Sequence, residues 1–174
     1  MSSLPLNKFK GFTLIEIIIV IVIMGVILSF ASLSINTGGL DAKLAQEAKR
    51  FASLLKLASQ EAIFQSKEMG VSFEKNSYQF YVFEQNWQAV TAPDDIFHPR
   101  TLPVGVKISF EVENVPVVMK KTNIPQLLLL SSGELTPFEV IFLPEIEDDK
   151  TIPYKVTATA IGIINIVRPD EDEN

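Results

Sequence analysis

Lys10-Gly11-Phe12-Thr13-Leu14-Ile15-Glu16 sets a glycine, a bulky aromatic and a lone carboxylate directly ahead of a membrane-length apolar run. An ordinary signal peptide has a different order, with its cleavage site after the apolar region and no acid inside it. From Ile17 to Leu40 no residue is charged. A helix over Phe12 to Ile35 would be about 36 Å long at about 1.5 Å per residue, enough to cross a hydrocarbon core of about 30 Å. Lys8 and Lys10 precede the run and Asp41 is the first charge beyond it, so the positive-inside bias places the N-terminus in the cytoplasm and the remainder outside. Glu16 stands one helical turn past Phe12, where an isolated charge costs roughly 2.5 to 3.5 kcal/mol on insertion scales and calls for a partner. If the chain is cut before Phe12, the new amine is such a partner, on the same chain at i−4 or on a neighbour packed alongside. The alternative is an acid at the cytoplasmic interface, favoured there by the helix macrodipole.

The stretch KGFTLIEIIIVIVIMGVIL, residues 10–28, resembles the class III leader of type IV pilins and type II secretion pseudopilins. The resemblance implies that a prepilin peptidase cuts after Gly11 and methylates the new amino terminus at Phe12. It also implies that Glu16 pairs with the Phe12 amine of an adjacent subunit and so sets the stagger of helices during assembly. Two other N-termini compete. Ser29-Phe30-Ala31 has the small-residue spacing of a conventional signal-peptidase site, which would start the mature chain at Ser32 but leaves Gly11 and Glu16 unexplained. An unprocessed single-pass anchor is the other. All three readings export the C-terminal part.

The chain has 174 residues, so roughly 130 remain beyond the membrane segment, enough for one core. Its formal net charge of −6 provides no global attraction to nucleic acid or anionic lipid. With no cysteine, the exported part has neither disulfide nor thiol chemistry and must be held by apolar packing.

Thr37-Gly38-Gly39 loosens or interrupts the first helix, since each glycine costs roughly 1 kcal/mol against alanine. A nearly continuous helix with a weak point at Gly38-Gly39 is expected. Beyond it, Leu44, Ala48, Phe51, Leu55, Ala58 and Ala62 recur at steps of four and three, an apolar stripe that must pack on a sheet. Lys43, Glu47, Lys49, Arg50, Lys56 and Glu61 lie off that stripe. From Met69 the period becomes two. Val71–Phe73, Tyr78–Glu84 and Trp87–Val90 read as a meander, and Thr91 to Pro103 as a polar loop. Val106–Val112, Val117–Met119, Gln126–Ser131, Phe138–Leu143 and Tyr154–Val167 follow as strands, the last dividing near Gly162. Pro125 and Ser132-Gly133 favour a buried strand over a short helix for Leu127–Leu130. The expected fold is α+β and pilin-like, a long N-terminal helix packed on antiparallel sheets. Its parts are a leader over 1–11, a transmembrane and filament-core helix over 12–36, and an amphipathic second part over 40–66. A strand-rich periplasmic domain over 69–169 and an acidic tail over 170–174 complete it.

Leu130-Ser-Ser-Gly133-Glu-Leu-Thr136-Pro137-Phe138 through Leu143 is similar to the C-terminal region of the H-type minor pseudopilins of type II secretion, the GspH/FimT group. Ala45-Gln-Glu47-Ala48-Lys-Arg50-Phe-Ala52-Ser-Leu54-Leu55 resembles the second part of that group's helix. The resemblance implies a structural subunit near the tip of the pseudopilus that helps export folded proteins across the outer membrane. Its implied partners are the major pseudopilin, the other minor pseudopilins, the inner membrane and secreted cargo. The rival within the group is a FimT-like minor pilin linked to DNA uptake. The rival outside it is an anchored binding module that never polymerises. Asp170-Glu171-Asp172-Glu173 would repel phosphate, and Lys120-Lys121 is the only adjacent lysine pair, so no nucleic-acid partner is expected.

No enzyme is expected. A Cys/His dyad is impossible without cysteine, and any Ser/His/acid triad would have to use the single histidine, His98. Asp94, Asp95 and His98 read as a solvated loop rather than metal ligands, and Glu145, Glu147, Asp148 and Asp149 lack the glycine-bearing spacing of a calcium loop. No phosphate-binding glycine loop is present, and no cofactor or metal is expected.

Overall fold

The computed structural model describes residues 13–34, 39–112, 115–119, 124–146 and 151–168, with side chains over 13–27 and from 39 onwards. Two compact units form, Met1–Thr37 and Gly38–Asn174.

The first unit contains helix α1 (Leu14–Ser34), and the second opens with α2 (Leu40–Gln65). Of the weak point expected at Gly38-Gly39, Gly38 lies outside the described residues. Gly39 stands at the N-cap of α2 with φ −50° and ψ 173°, and a ψ near 180° cannot continue a helical turn. At the far end Ser66 takes a left-handed conformation, φ 52° and ψ 39°, and the chain turns into the sheets.

Ten strands follow: β1 (Met69–Glu74), β2 (Ser77–Phe83), β3 (Trp87–Ala89), β4 (Arg100–Thr101), β5 (Val106–Val112), β6 (Val115–Pro116), β7 (Leu127–Leu129), β8 (Phe138–Pro144), β9 (Tyr154–Ala158) and β10 (Ile164–Val167). They make two antiparallel sheets. The first has the order β3-β2-β1-β7 with β4 also on β2, and the second the order β10-β9-β8-β5-β6. The helix therefore packs on two sheets. Within the loop expected over Thr91–Pro103, Arg100 and Thr101 pair with Tyr78 and Ser77. The strand expected at Val117–Met119 lies earlier, at Val115–Pro116, and Val117 keeps one ladder bond to Phe110 at 2.9 Å. Leu127–Leu129 is a strand, with its two outer leucines buried.

The helical stripe and the alternating strands meet in one core. Leu44, Ala48, Phe51, Leu55, Ala58 and Ala62 are all fully buried against Val71, Phe73 and Phe80 of the first sheet and Val140, Phe142 and Val156 of the second. Phe51 touches both sides, 5.6 Å from Phe73, 5.2 Å from Tyr78 and 5.9 Å from Phe142 between ring centroids. Arg168 closes the domain, over the Tyr154 ring at 5.3 Å and 3.6 Å from the Asp41 carboxylate at the start of α2.

A fragment beginning near Asp41 should accordingly be soluble and unfold cooperatively in urea without metal or reductant. Phe51→Ala in that fragment should cost about 3 to 5 kcal/mol, since it empties the junction of both sheets. Aggregation of the parent fragment unless a partner subunit is added would instead assign the α2 stripe to an intermolecular surface.

Candidate functional site

Helix α1 starts where a side chain makes it start. The Glu16 amide donates to the Thr13 carbonyl at 3.1 Å and to Thr13 Oγ1 at 3.3 Å, so Thr13 caps the helix and Glu16 falls at its third position. This Thr-x-x-Glu spacing is a capping-box signature, visible in the sequence yet absent from the reading above. The carboxylate is thereby held in the first turn, beside the positive end of the helix. Among the described residues Glu16 forms no ion pair. Lys8, Lys10, Gly11 and Phe12, including the predicted processing and methylation positions, lie outside the described residues.

Every large side chain described on α1 is exposed, from Leu14 at 79% to Val20 at 42%. A helix apolar on all sides needs an apolar surrounding along its whole circumference. Its 21 residues reach about 32 Å at about 1.5 Å per residue. Over the described residues, whose side chains on α1 end at Ile27, no helix is long and apolar enough to cross a membrane.

The second unit contains one departure from the expected stripe. Glu47, placed off the apolar face by the sequence, is 2% exposed. Arg50 donates to it through Nε to Oε2 at 3.1 Å and through its terminal nitrogen to Oε1. The pair holds the guanidinium above its ordinary value through this hydrogen bond, against desolvation. Tyr78, opposite Arg100 in the β2–β4 ladder, is 1% exposed. Among the described residues its hydroxyl makes no hydrogen bond of good geometry, and Arg50 lies close enough to act on it both by charge and as a weak donor. Burial pushes the phenol up to about 12.

The remaining candidates are structural. Asp95 accepts the Phe97 amide through Oδ1 at 2.8 Å, and His98 Nδ1 lies 2.6 Å from the Asp95 carbonyl oxygen, an arrangement that shapes a turn. Among the described residues no three His, Asp or Glu side chains are placed to hold a metal ion. Lys75 Nζ lies 3.6 Å from Glu145; Glu147, Asp148, Asp149 and Lys120-Lys121 lie outside the described residues. Gly133 (φ 89°) turns the chain between β7 and β8, as its place in the SSG turn predicts. Gly162 (φ 83°) approaches it so closely that a Cβ there would lie 2.9 Å from the Gly133 carbonyl oxygen. Glu68 accepts from the amide and hydroxyl of Ser131 at 2.9 and 3.0 Å, tying that hairpin to the end of α2.

A capped apolar helix followed by a separate domain, in which a second helix lies across antiparallel sheets, defines a pilin-like subunit. Residues 6–32 match the prokaryotic N-terminal methylation motif, and residues 47–162 match the family of type II transport protein GspH. The chain belongs to the GspH family, the minor pseudopilins of type II secretion. It is 33% identical to the type II secretion system protein H of Pseudomonas aeruginosa over 144 residues, 75% of this chain and 81% of that one. With its Aeromonas hydrophila counterpart it shares 27% over 181 residues, 96% of this chain and 98% of the other. The minor pseudopilin EpsH of Vibrio cholerae superposes with a TM-score of 0.61 at 26% identity, over 73% of this chain and 98% of EpsH.

Two measurements test the polar cluster. Arg50→Ala should destabilise the strand-rich domain by about 3 kcal/mol, because it leaves the Glu47 carboxylate buried without its counter-charge. Below pH 10 the Tyr78 phenol is neutral in both folded and unfolded chains and contributes no pH dependence. Between pH 10 and about 12 only the unfolded chain ionises, so stability falls as pH rises. Tyr78→Phe should remove that component of a Tm-against-pH profile while leaving neutral-pH stability unchanged or improved.

Proposed function

We propose that this chain is a structural subunit of the type II secretion pseudopilus, trimmed between Gly11 and Phe12 by the prepilin peptidase and N-methylated at Phe12. It resides in the bacterial inner membrane as a single pass, N-terminus in the cytoplasm and strand-rich domain in the periplasm, until it enters the filament. There α1 joins the helical core, and the H-type subunit stands near the tip, above the major pseudopilin and beneath the other minor ones. It acts as a substrate of the processing enzyme and has no catalysis of its own. The observation that carries this reading is α1 itself, apolar and exposed around its circumference, with one acid in its first turn. Such a surface suits association in lipid or among other helices. The secretion branch, rather than DNA uptake, is supported by the match to the GspH family and by relatives named as type II secretion proteins.

Gly11→Val should block cleavage, because a branched side chain replaces the glycine beside the scissile bond; the variant should keep its leader by mass and remain in the membrane. N-terminal mass spectrometry of the wild type should find N-methylated Phe12, and a start at Ser32 or Met1 would overturn the assignment. Glu16→Val removes a charge from an apolar helix, so insertion should be unharmed or improved. Incorporation into pseudopili should nevertheless fall, since the Phe12 amine of an adjacent chain loses its counter-charge. A variant cleaved, inserted and incorporated as well as the parent would make Glu16 only an interfacial acid.

A further inference from the structure

A groove of about 640 Å3 runs between the last turns of α2, the ends of β2 and β3, and the turn at Asp95–Phe97. Its floor is apolar, with Leu57, Met69, Val82, Val90 and Phe97. Its rim is acidic. Glu61, Glu84 and Asp95 stand around it against a single cation, Lys67, which already pairs with Glu84 at 2.7 Å. Among the described residues Glu61 accepts from Gln65 in its own helix, and Asp95 from the Phe97 amide, so both carboxylates keep capacity for a further donor.

Two large apolar side chains of this region face outward: Ile96 in the groove lining is 51% exposed, and Phe64, in the last turns of α2 between the lining residues Glu61 and Gln65, is 86% exposed. Exposed apolar side chains grouped about a cleft mark an interaction surface rather than a small-molecule site. β3 is also the end strand of its sheet, so among the described residues no strand lies along its outer edge, and Gln88 and Ala89 of that strand line the groove. An extended segment can run along such an edge, with side chains entering the adjoining pocket.

We propose that this groove docks an extended segment of a neighbouring pseudopilus subunit, one that carries a bulky apolar residue next to a lysine or arginine. The apolar residue takes the floor and the cation meets Glu61 and Asp95, which gives the site its selectivity by charge. The identity of the partner as a filament subunit rests on the pseudopilin reading above; the chemistry of the segment rests on the groove.

The sole tryptophan, Trp87, lies on β3 beside the groove and reports its occupancy. Full-length processed protein in detergent micelles is titrated with acetyl-Gly-Leu-Lys-Leu-Gly-amide and with the same peptide carrying Glu for Lys. A saturable change in Trp87 emission is expected with the lysine peptide and a response at least about tenfold weaker with the glutamate peptide. Glu61→Lys should abolish that preference and Glu61→Gln reduce it, both with unchanged far-UV circular dichroism. Purified periplasmic domains of the major and other minor pseudopilins and a purified secreted substrate are then titrated in the same way. One pseudopilin should bind, and lose binding to the Glu61→Lys protein. Equal response to both peptides, or binding by the secreted substrate alone, overturns the proposal. If the chain is N-methylated and incorporated while the groove fails these tests, docking falls and the filament reading stands; failure of incorporation overturns the filament reading itself.

Discussion

Phe51 is the contact on which the domain from Gly38 onwards depends. Its ring meets Phe73 and Tyr78 of one sheet and Phe142 of the other, at a junction where Phe73 itself stacks on Phe110 of the second sheet at 4.8 Å. The geometry explains why the stripe on α2 uses so many alanines. Ala48, Ala52, Ala58 and Ala62 are buried at 2% or less and let the helix approach the sheets closely, while Phe51, Leu44 and Leu55 fill the space between them. Away from the helix the sheets are joined by backbone. The Leu135 amide donates to the Ala160 carbonyl at 3.1 Å, and the turns at Gly133 and Gly162 come too close for a side chain between them.

Glu47 shows what an apolar stripe can conceal. Charge alone places it on the solvent face, and its position, three residues before Arg50 and one before Ala48, is compatible with either face of a helix near the stripe boundary. The structure buries it because Arg50 can reach back one turn and supply two donors while its own far side stays in water, 35% exposed. A buried carboxylate paired in this way is costly to isolate and cheap to keep. Its partner could have been guessed from the i, i+3 spacing, but burial is a tertiary outcome that no local rule contains.

The legible parts of the chain were those in which one physical rule acted alone. The α2 stripe, the alternation in Val106–Val112 and Phe138–Leu143, and the left-handed turn at Gly133 all follow from periodicity or sterics, and each appears in the fold. The short pieces were not legible. Arg100–Thr101 is a strand only because Tyr78 and Ser77 offer it an edge, and Val115–Pro116 only because β5 extends beneath it. Paired glycines permit both a bend and a stop, and of the two only Gly39 is described, with an extended ψ just before α2. Within the candidate site, the cap that Thr13 provides is hidden in a Thr-x-x-Glu motif better known from soluble helices.

The two helices use the same apolar residues to opposite ends. On α2 the apolar residues are confined to one face and the domain supplies their partner, so that face is closed to other molecules. On α1 they cover the circumference and, over the side chains described, all stand exposed, a surface suited to association with lipid or with other helices. A uniformly apolar rod has no preferred register against its neighbours, because sliding by one turn replaces one set of aliphatic contacts with an equivalent set. Glu16 breaks that degeneracy. It is the one charge on α1, and it sits in the first turn, so a counter-charge on an adjacent chain is satisfied at one stagger and stranded at others. In the proposed filament, a single polar group would therefore specify position, while the apolar residues around it would supply cohesion.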